Sequence, residues 1–183
     1  MHTERQTLSH GFGPFYTTES RILILGSFPS VKSREQSFFY GHPRNRFWTV
    51  LAAVFREQTP QSLDEKKAFL RRNGVALYDV IESCSIVGSA DSSIRDVIPA
   101  DLRPILSGSR VENRIFTNGK KAAELYARYL QPVLGISAET LPSTSPANAA
   151  CSLPQLTERW ESALLPALSA AGQKQSTEVQ KKA

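Results

Sequence analysis

The sequence predicts an α/β fold, a three-layer α/β/α sandwich around a central, mostly parallel four-stranded sheet, and three observations lead there. Four short apolar runs rich in strand-forming residues alternate with segments of helical period. Strand alternating with helix implies a parallel sheet covered on both faces. The length of 183 residues, 40% of them apolar, suits one domain with a substantial core and excludes a wholly disordered chain.

The expected strands are residues 21–27, 75–81, 114–117 and 137–141. The expected helices are residues 45–57, with Phe47, Trp48, Leu51, Ala52, Val54 and Phe55 as the apolar set, then 63–72, 119–130 and 153–170. Ser62 reads as the N-cap of the second helix, with acids in its first turn, and Asn73-Gly74 as a left-handed stop. Pro166 interrupts the last helix and predicts a kink. Residues 83–109 are polar and serine-rich, with a short helix expected near 92–97 and another after Asp101. One domain is expected over residues 1–171. The tail 172–183 has too few apolar residues to pack and is expected to be disordered.

The formal charge is +5, and the tail contributes only +2 of it. Between Lys32 and Arg56 there are five Lys or Arg residues (Lys32, Arg34, Arg44, Arg46, Arg56) against Glu35 alone, interleaved with Phe38, Phe39, Tyr40, Phe47 and Trp48. Cations that neutralise phosphates beside rings that stack on bases suit a nucleic-acid surface, although a solvated helix face reads the same way. No apolar run comes near the length that spans a membrane, which takes about 20 residues. The N-terminus lacks an apolar stretch that would mark secretion, so a cytoplasmic address is expected. Cys84 and Cys151 form no metal or disulfide pattern and read as reduced; no metal and no cofactor is expected.

Ligands of open parallel sheets bind beyond the carboxyl ends of the strands. After the first expected strand the chain reads GSFPSVKSREQSFFYGHPRNRFW, and after the last one LPSTSPANA. A Gly-x-x-Pro turn, an aromatic, and His-Pro-x-Asn-x-Phe-Trp opening a helix resemble the uracil-DNA glycosylase superfamily. The hypoxanthine-DNA (deoxyinosine) glycosylase branch is the most similar, and residues 40–48 are also similar to mismatch-specific relatives. The LPSTSPANA loop resembles the superfamily's second motif, and the likeness runs over about residues 11–170.

The resemblance implies a monofunctional DNA glycosylase of base-excision repair that removes deaminated bases, chiefly hypoxanthine, with uracil or xanthine as further substrates. Its expected partner is DNA containing such bases, as a monomer, nucleoid-associated in a bacterium. Where most branches carry a water-orienting Asp or Asn at the third position of the first motif, this chain has Phe28. The hypoxanthine branch uses the Asn of its His-Pro-x-Asn motif instead, which maps onto Asn45; the plain alternative for Asn45 is a helix cap. A neutral amide serves if the glycosidic bond breaks first, because the cationic sugar then needs a positioned water more than a strong base.

Ser143 stands where many relatives have a His at the second motif, so leaving-group help would come from Ser143, Thr144, His42, or the backbone of Gly26, Ser27 and Phe28. Tyr40 matches the base-stacking aromatic, with Phe28 and Phe39 as neighbours. Asp79, where relatives often place an Asn, would accept the N1–H of hypoxanthine, with Asn118 or a backbone N–H supplying the donor; alternatively Asp79 only ties down a loop. Thr144, Ser145, Pro146, Ala147 and Asn148 would contact the DNA backbone, Pro146 or Ala147 as a wedge into the space the base vacates. Arg44 and Lys120, with Lys121, are candidate phosphate contacts.

Two other functions compete. A serine hydrolase using Ser27 or Ser30 would need a His from a later loop, and only His2, His10 and His42 exist. A nucleic-acid-binding protein of the same fold without catalysis would also fit the lost acidic residue. No Lys is placed as a Schiff-base nucleophile, so lyase activity is not expected.

Overall fold

The computed structural model describes residues 4–88 and 90–181, without the side chains of residue 91 and of 173–181. In chain order the elements are β1 (Arg5–Ser9), β2 (Ile22–Gly26), α1 (Val31–Gln36), α2 (Phe47–Phe55), α3 (Leu63–Asn73), β3 (Val75–Asp79), β4 (Ile81–Val87), β5 (Arg95–Pro99), α4 (Arg103–Gly108), β6 (Ile115–Asn118), α5 (Lys120–Tyr129), α6 (Gln131–Leu134), β7 (Glu139–Leu141) and α7 (Leu153–Lys181).

The four expected strands form one parallel sheet in the order β3-β2-β6-β7. Every residue of β2 and of β3 is buried, as parallel strands covered on both faces require. α5 packs along β6 and β7, α3 against β3, and α7 crosses α2 and reaches β2 and β7. Fully buried Trp160 of α7 meets Phe47 of α2 edge to face at 5.8 Å and donates its indole N–H to the Pro142 carbonyl. The core therefore reaches up to the loop after β7. From β2 the chain passes to β3 on one side and later to β6 on the other, so the loops after β2 and β6 diverge and open a crevice at the strands' carboxyl ends.

A second, antiparallel sheet, β1-β4-β5, follows directly from β3. Sequence patterning misses it because β1 is polar and almost wholly exposed, while β5 is an edge strand of mixed charge ending in Pro99. The helix expected near residues 92–97 is corrected: a 3₁₀ turn at Asp91–Ser93 leads into β5, whose Ile98 pairs with Ser83 of β4. The helix expected after Asp101 is α4. The helix expected from residue 45 starts two residues later, at Phe47. α7 continues through Pro166, and its backbone stays helical past Gly172. The expectation of a disordered tail falls on residues whose side chains, and in the case of 182–183 whose backbone, lie outside the described part.

Local signals account for α3. Ser62 Oγ accepts the Glu65 N–H at 3.1 Å while Glu65 Oε2 accepts the Ser62 N–H at 3.3 Å, and Gly74 closes the helix at φ 68°. Among the described residues no helix is long and apolar enough to cross a membrane. Ser62→Ala removes the cap and should lower stability by about 1 kcal/mol. A urea unfolding midpoint unchanged from wild type would contradict that expectation.

Candidate functional site

The crevice is an open cleft of roughly 1670 Å³ at the carboxyl end of the parallel sheet. Pockets for small molecules hold about 300–1,000 Å³, so this one has room for a polymer segment. Every candidate site residue lines it except Arg44, which is exposed beside it. Lys120 and Lys121 lie on its rim together with Arg34 and Arg159. Against Glu139 and Glu158 in the same lining, these cations leave the border positive on balance, which favours a phosphate-bearing ligand.

One hydrogen-bonded chain ties the two distant motifs together. Asn118, at the end of β6, accepts the Thr144 N–H at its Oδ1 (3.0 Å) and donates from Nδ2 to Thr144 Oγ1 (2.9 Å). The Thr144 hydroxyl in turn donates to Asn45 Oδ1 at 2.8 Å. That same oxygen accepts the Phe47 N–H at 3.0 Å, which fixes the amide's orientation, because a backbone N–H can bond only to the oxygen. Both lone pairs of Asn45 Oδ1 are thus occupied. The group left to engage the cleft is Nδ2, a donor. Arg46 holds the N-cap position of α2 without a side-chain cap bond, and Asn45, one residue earlier, is a cleft residue whose Oδ1 is tied to the N–H of the first helical residue.

Thr144 is fully buried. The expectation that its hydroxyl meets a phosphate is corrected: its one proton is donated to Asn45, and it also accepts from Asn118, so it has nothing left to donate to a phosphate oxygen. Asn148 is likewise turned inward through Nδ2, donating to the Ser143 carbonyl at 3.0 Å. The Ser143 hydroxyl accepts the Ser145 N–H (3.1 Å), and the Ser145 hydroxyl accepts the Ala147 N–H (3.2 Å). Each keeps its own O–H as a donor. Pro146 and Ala147 stand exposed at the tip. Gly119 allows the loop to approach, since a Cβ there would lie 2.9 Å from Ser143 Cβ.

Arg46, read from the sequence only as part of a basic stretch, is the clamp of this loop. Its Nη1 donates to the Cys151 carbonyl at 2.6 Å and its Nη2 to the carbonyls of Asn148 and Ser145 at 2.9 and 3.4 Å, while its own N–H bonds the Thr144 carbonyl. A planar guanidinium with several donors suits such a task, and nothing in the local sequence distinguishes it from a phosphate-binding arginine.

The floor of the cleft is aromatic and carboxylic. Tyr40 stacks on Phe47 with ring centroids 3.8 Å apart and 14° between planes. Its backbone is left-handed, φ 53°, a conformation that costs a bulky residue about 1–3 kcal/mol and persists only where the surroundings impose it. Burial, with the Asp79 carboxylate adding to it and the Asn118 amide offsetting a little, pushes the Tyr40 phenol far above its ordinary range. The hydroxyl is therefore a donor at neutral pH, and it makes no well-formed hydrogen bond. Phe28 is half-buried, with the Arg34 guanidinium 5.9 Å from its ring centre, whereas Phe39 is a core residue, 2% exposed, packed edgewise on Phe12 and Phe38.

Asp79 is 5% exposed, and its Oδ2 lies 2.7 Å from Nε2 of a fully buried His10. His10 is the site residue that sequence reasoning missed: it follows the polar strand β1, where no periodicity or motif points inward. Asp79 Oδ1 occupies the space over Gly26, where a Cβ would stand 2.3 Å from it. His42, half-buried, lines the cleft and uses Nδ1 to accept the Arg44 N–H at 3.2 Å. Ser30 caps α1, its Oγ accepting the Ser33 N–H. Among the described residues neither Ser27 nor Ser30 is hydrogen-bonded to an imidazole, which removes the support for a serine hydrolase. No group of three metal-ligating side chains occurs among the described residues.

Comparison with known proteins gives a consistent picture. The family model for the uracil DNA glycosylase superfamily matches residues 13–169. A protein named hypoxanthine DNA glycosylase from Methanosarcina acetivorans is 34% identical over 142 residues, 77% of this chain and 89% of the relative. One of the same name from Methanosarcina barkeri is 34% identical over 146 residues, 75% of this chain and 87% of the relative. A solution NMR structure of a Methanosarcina acetivorans protein named after uracil DNA glycosylase superposes with a TM-score of 0.71 at 32% identity, over 86% of this chain and 96% of the other.

Thr144→Val keeps the side chain's shape and removes the hydroxyl that joins Asn118 to Asn45. Two half-buried partners would each lose a bond, so stability should fall by about 0.5–1.5 kcal/mol. Chemical unfolding measures it, and a crystal structure of the variant should show Asn45 still held by the Phe47 N–H but no longer tied to the loop that carries residue 144.

Proposed function

The chain belongs to the uracil DNA glycosylase superfamily, and from that premise we propose that it is a monofunctional DNA glycosylase that hydrolyses the N-glycosidic bond of hypoxanthine in DNA. It opens base-excision repair of deaminated adenine, with uracil or xanthine as secondary substrates, and acts as a monomer in the cytoplasm. The observation that carries this reading is the Asn45 amide, held at the cleft with its oxygen saturated and its Nδ2 hydrogens unspent.

That geometry decides which mechanism suits the site. An amide whose oxygen is occupied cannot take a proton from water, but Nδ2 can hold the water's oxygen by donating to it. The fitting order of events is heterolysis first. The bond from the sugar C1′ to the base breaks, its electron pair leaves with the base, and the sugar becomes an oxocarbenium-like cation. The positioned water then adds to C1′ and releases a proton, giving the abasic sugar. Proximity supplies most of the advantage, since well-placed reactants gain about 7–11 kcal/mol over a bimolecular encounter. The phosphates of the bound strand favour the cation, and Ser143 and His42 are side chains lining the cleft that can aid the departing base.

The extruded base lies against Phe28 and Tyr40, with Asp79 at its edge. Pro146 and Ala147, exposed at the tip of a loop that Arg46 holds rigid, fill the gap in the stack. Lys120, Lys121 and Arg44 supply the phosphate contacts.

Asn45→Ala should slow single-turnover release of hypoxanthine from a duplex by about two or more orders of magnitude, the scale of losing a water-positioning group. Duplex affinity, measured by fluorescence anisotropy, should stay within a few-fold of wild type; a near-normal excision rate refutes the assignment. Affinity should also fall with salt, with a log–log slope of about −0.9 per neutralised phosphate. A flat salt dependence would speak against the cationic rim as the DNA surface.

A further inference from the structure

The mechanism leaves one buried ionisable pair unused. His10 is completely inaccessible, walled by Phe12 at 4.4 Å and Tyr78 at 4.9 Å between ring centroids, with Phe28 and Phe39 beyond 6 Å. Among the described residues its ring bonds to Asp79 Oδ2, and the other ring nitrogen, Nδ1, is buried without a partner. A carboxylate only accepts, so Nε2–H must be the donor. Holding a polar ring in an apolar box for a single hydrogen bond is a poor way to stabilise a fold, because the unpartnered nitrogen is costly. It is an effective way to keep a carboxylate from rotating.

The direction in which Asp79 is held gives the pair its meaning. With Oδ2 taken by His10, Oδ1 alone faces the cleft, above the bare Cα of Gly26. A fixed, lone acceptor at a base edge accepts a ring N–H and repels a ring nitrogen that carries a lone pair. Deamination makes just that change: adenine N1 is an acceptor, hypoxanthine N1 carries hydrogen.

We infer that His10 is a positioning residue for base discrimination: it pins Asp79 so that Oδ1 meets the ring N–H that deamination creates. The inference rests on the glycosylase reading and deepens it. Sites built to bond a polar hydrogen reject analogues lacking it strongly, up to about 10⁴-fold, because the buried acceptor is left unpaired. His10 is the group that makes this acceptor immobile.

The test compares single-turnover excision of hypoxanthine and of unsubstituted purine, whose N1 is an acceptor, from otherwise identical duplexes. Wild type should favour hypoxanthine by about 100-fold or more. His10→Ala should slow hypoxanthine release by about 10–100-fold, as loss of a residue that orients a contacting ligand commonly does, and leave purine release nearly unchanged, so that the preference collapses. His10→Gln, whose Nε2 can occupy the place of the imidazole Nε2, should restore at least part of the preference. An equal loss on both bases in His10→Ala, with no rescue by Gln, would mean a purely structural role and overturn the inference, as would an unchanged preference in His10→Ala. Wild-type release of both bases at one rate would overturn the reading of Asp79 itself. If wild type releases neither base, the glycosylase proposal fails, and the inference goes with it. Circular dichroism and duplex affinity of each variant separate misfolding from these outcomes.

Discussion

The hydroxyl of Thr144 is the interaction on which the site depends. It is fully buried, donates to Asn45 and accepts from Asn118, so three residues separated by up to 99 positions share one hydrogen-bonded chain. Each link constrains the next. Asn118 is carried by β6 of the central sheet, Thr144 by the loop after β7, and Asn45 by the turn into α2. The chain sets the width of the cleft as well as the orientation of the amide at its edge.

Around it the protein uses stiff devices. Arg46 gathers three carbonyls of the loop after β7, and Trp160 reaches from α7 to a fourth, that of Pro142. Tyr40 is kept in a left-handed conformation by its stack on Phe47, itself in the core. Side chains that would look like DNA contacts on a flat map are thus divided. Those nearer the sheet, Thr144, Asn148 and Arg46, hold the loop, and those farther out, Ser145, Pro146, Ala147 and Lys120, are left for a ligand. Such a division is expected where a site must hold its geometry while a flexible polymer adapts to it.

Asp79 shows how burial changes the meaning of a residue. On a loop it would only cap backbone N–H groups. Between a buried imidazole and a glycine that leaves room for one oxygen, it becomes a directed acceptor. Neither neighbour is close to it in sequence. His10 lies 69 positions away, at the exit of a strand with no apolar pattern, and comes to Asp79 because β1 pairs with β4, which follows β3 after a single residue.

The sequence by itself determined the parallel sheet, the order of its helices, the two glycosylase-like motifs and the prominence of Asn45, because these depend on local periodicity, turn chemistry and short strings of residues. It left open whether Asn45 caps a helix or serves the cleft; in the structure Arg46 holds the cap position, and Asn45, one residue earlier, lines the cleft with its Oδ1 bonded to the Phe47 N–H. It also assigned Thr144 outward, passed over His10 and placed a helix where β5 lies. Those outcomes turn on tertiary pairing: an edge strand is recognisable only beside its partner, and a hydroxyl points inward only when a buried acceptor awaits it. Direction and saturation of hydrogen bonds are properties of three-dimensional neighbours, so only the folded chain could decide which polar groups are spent and which remain for chemistry.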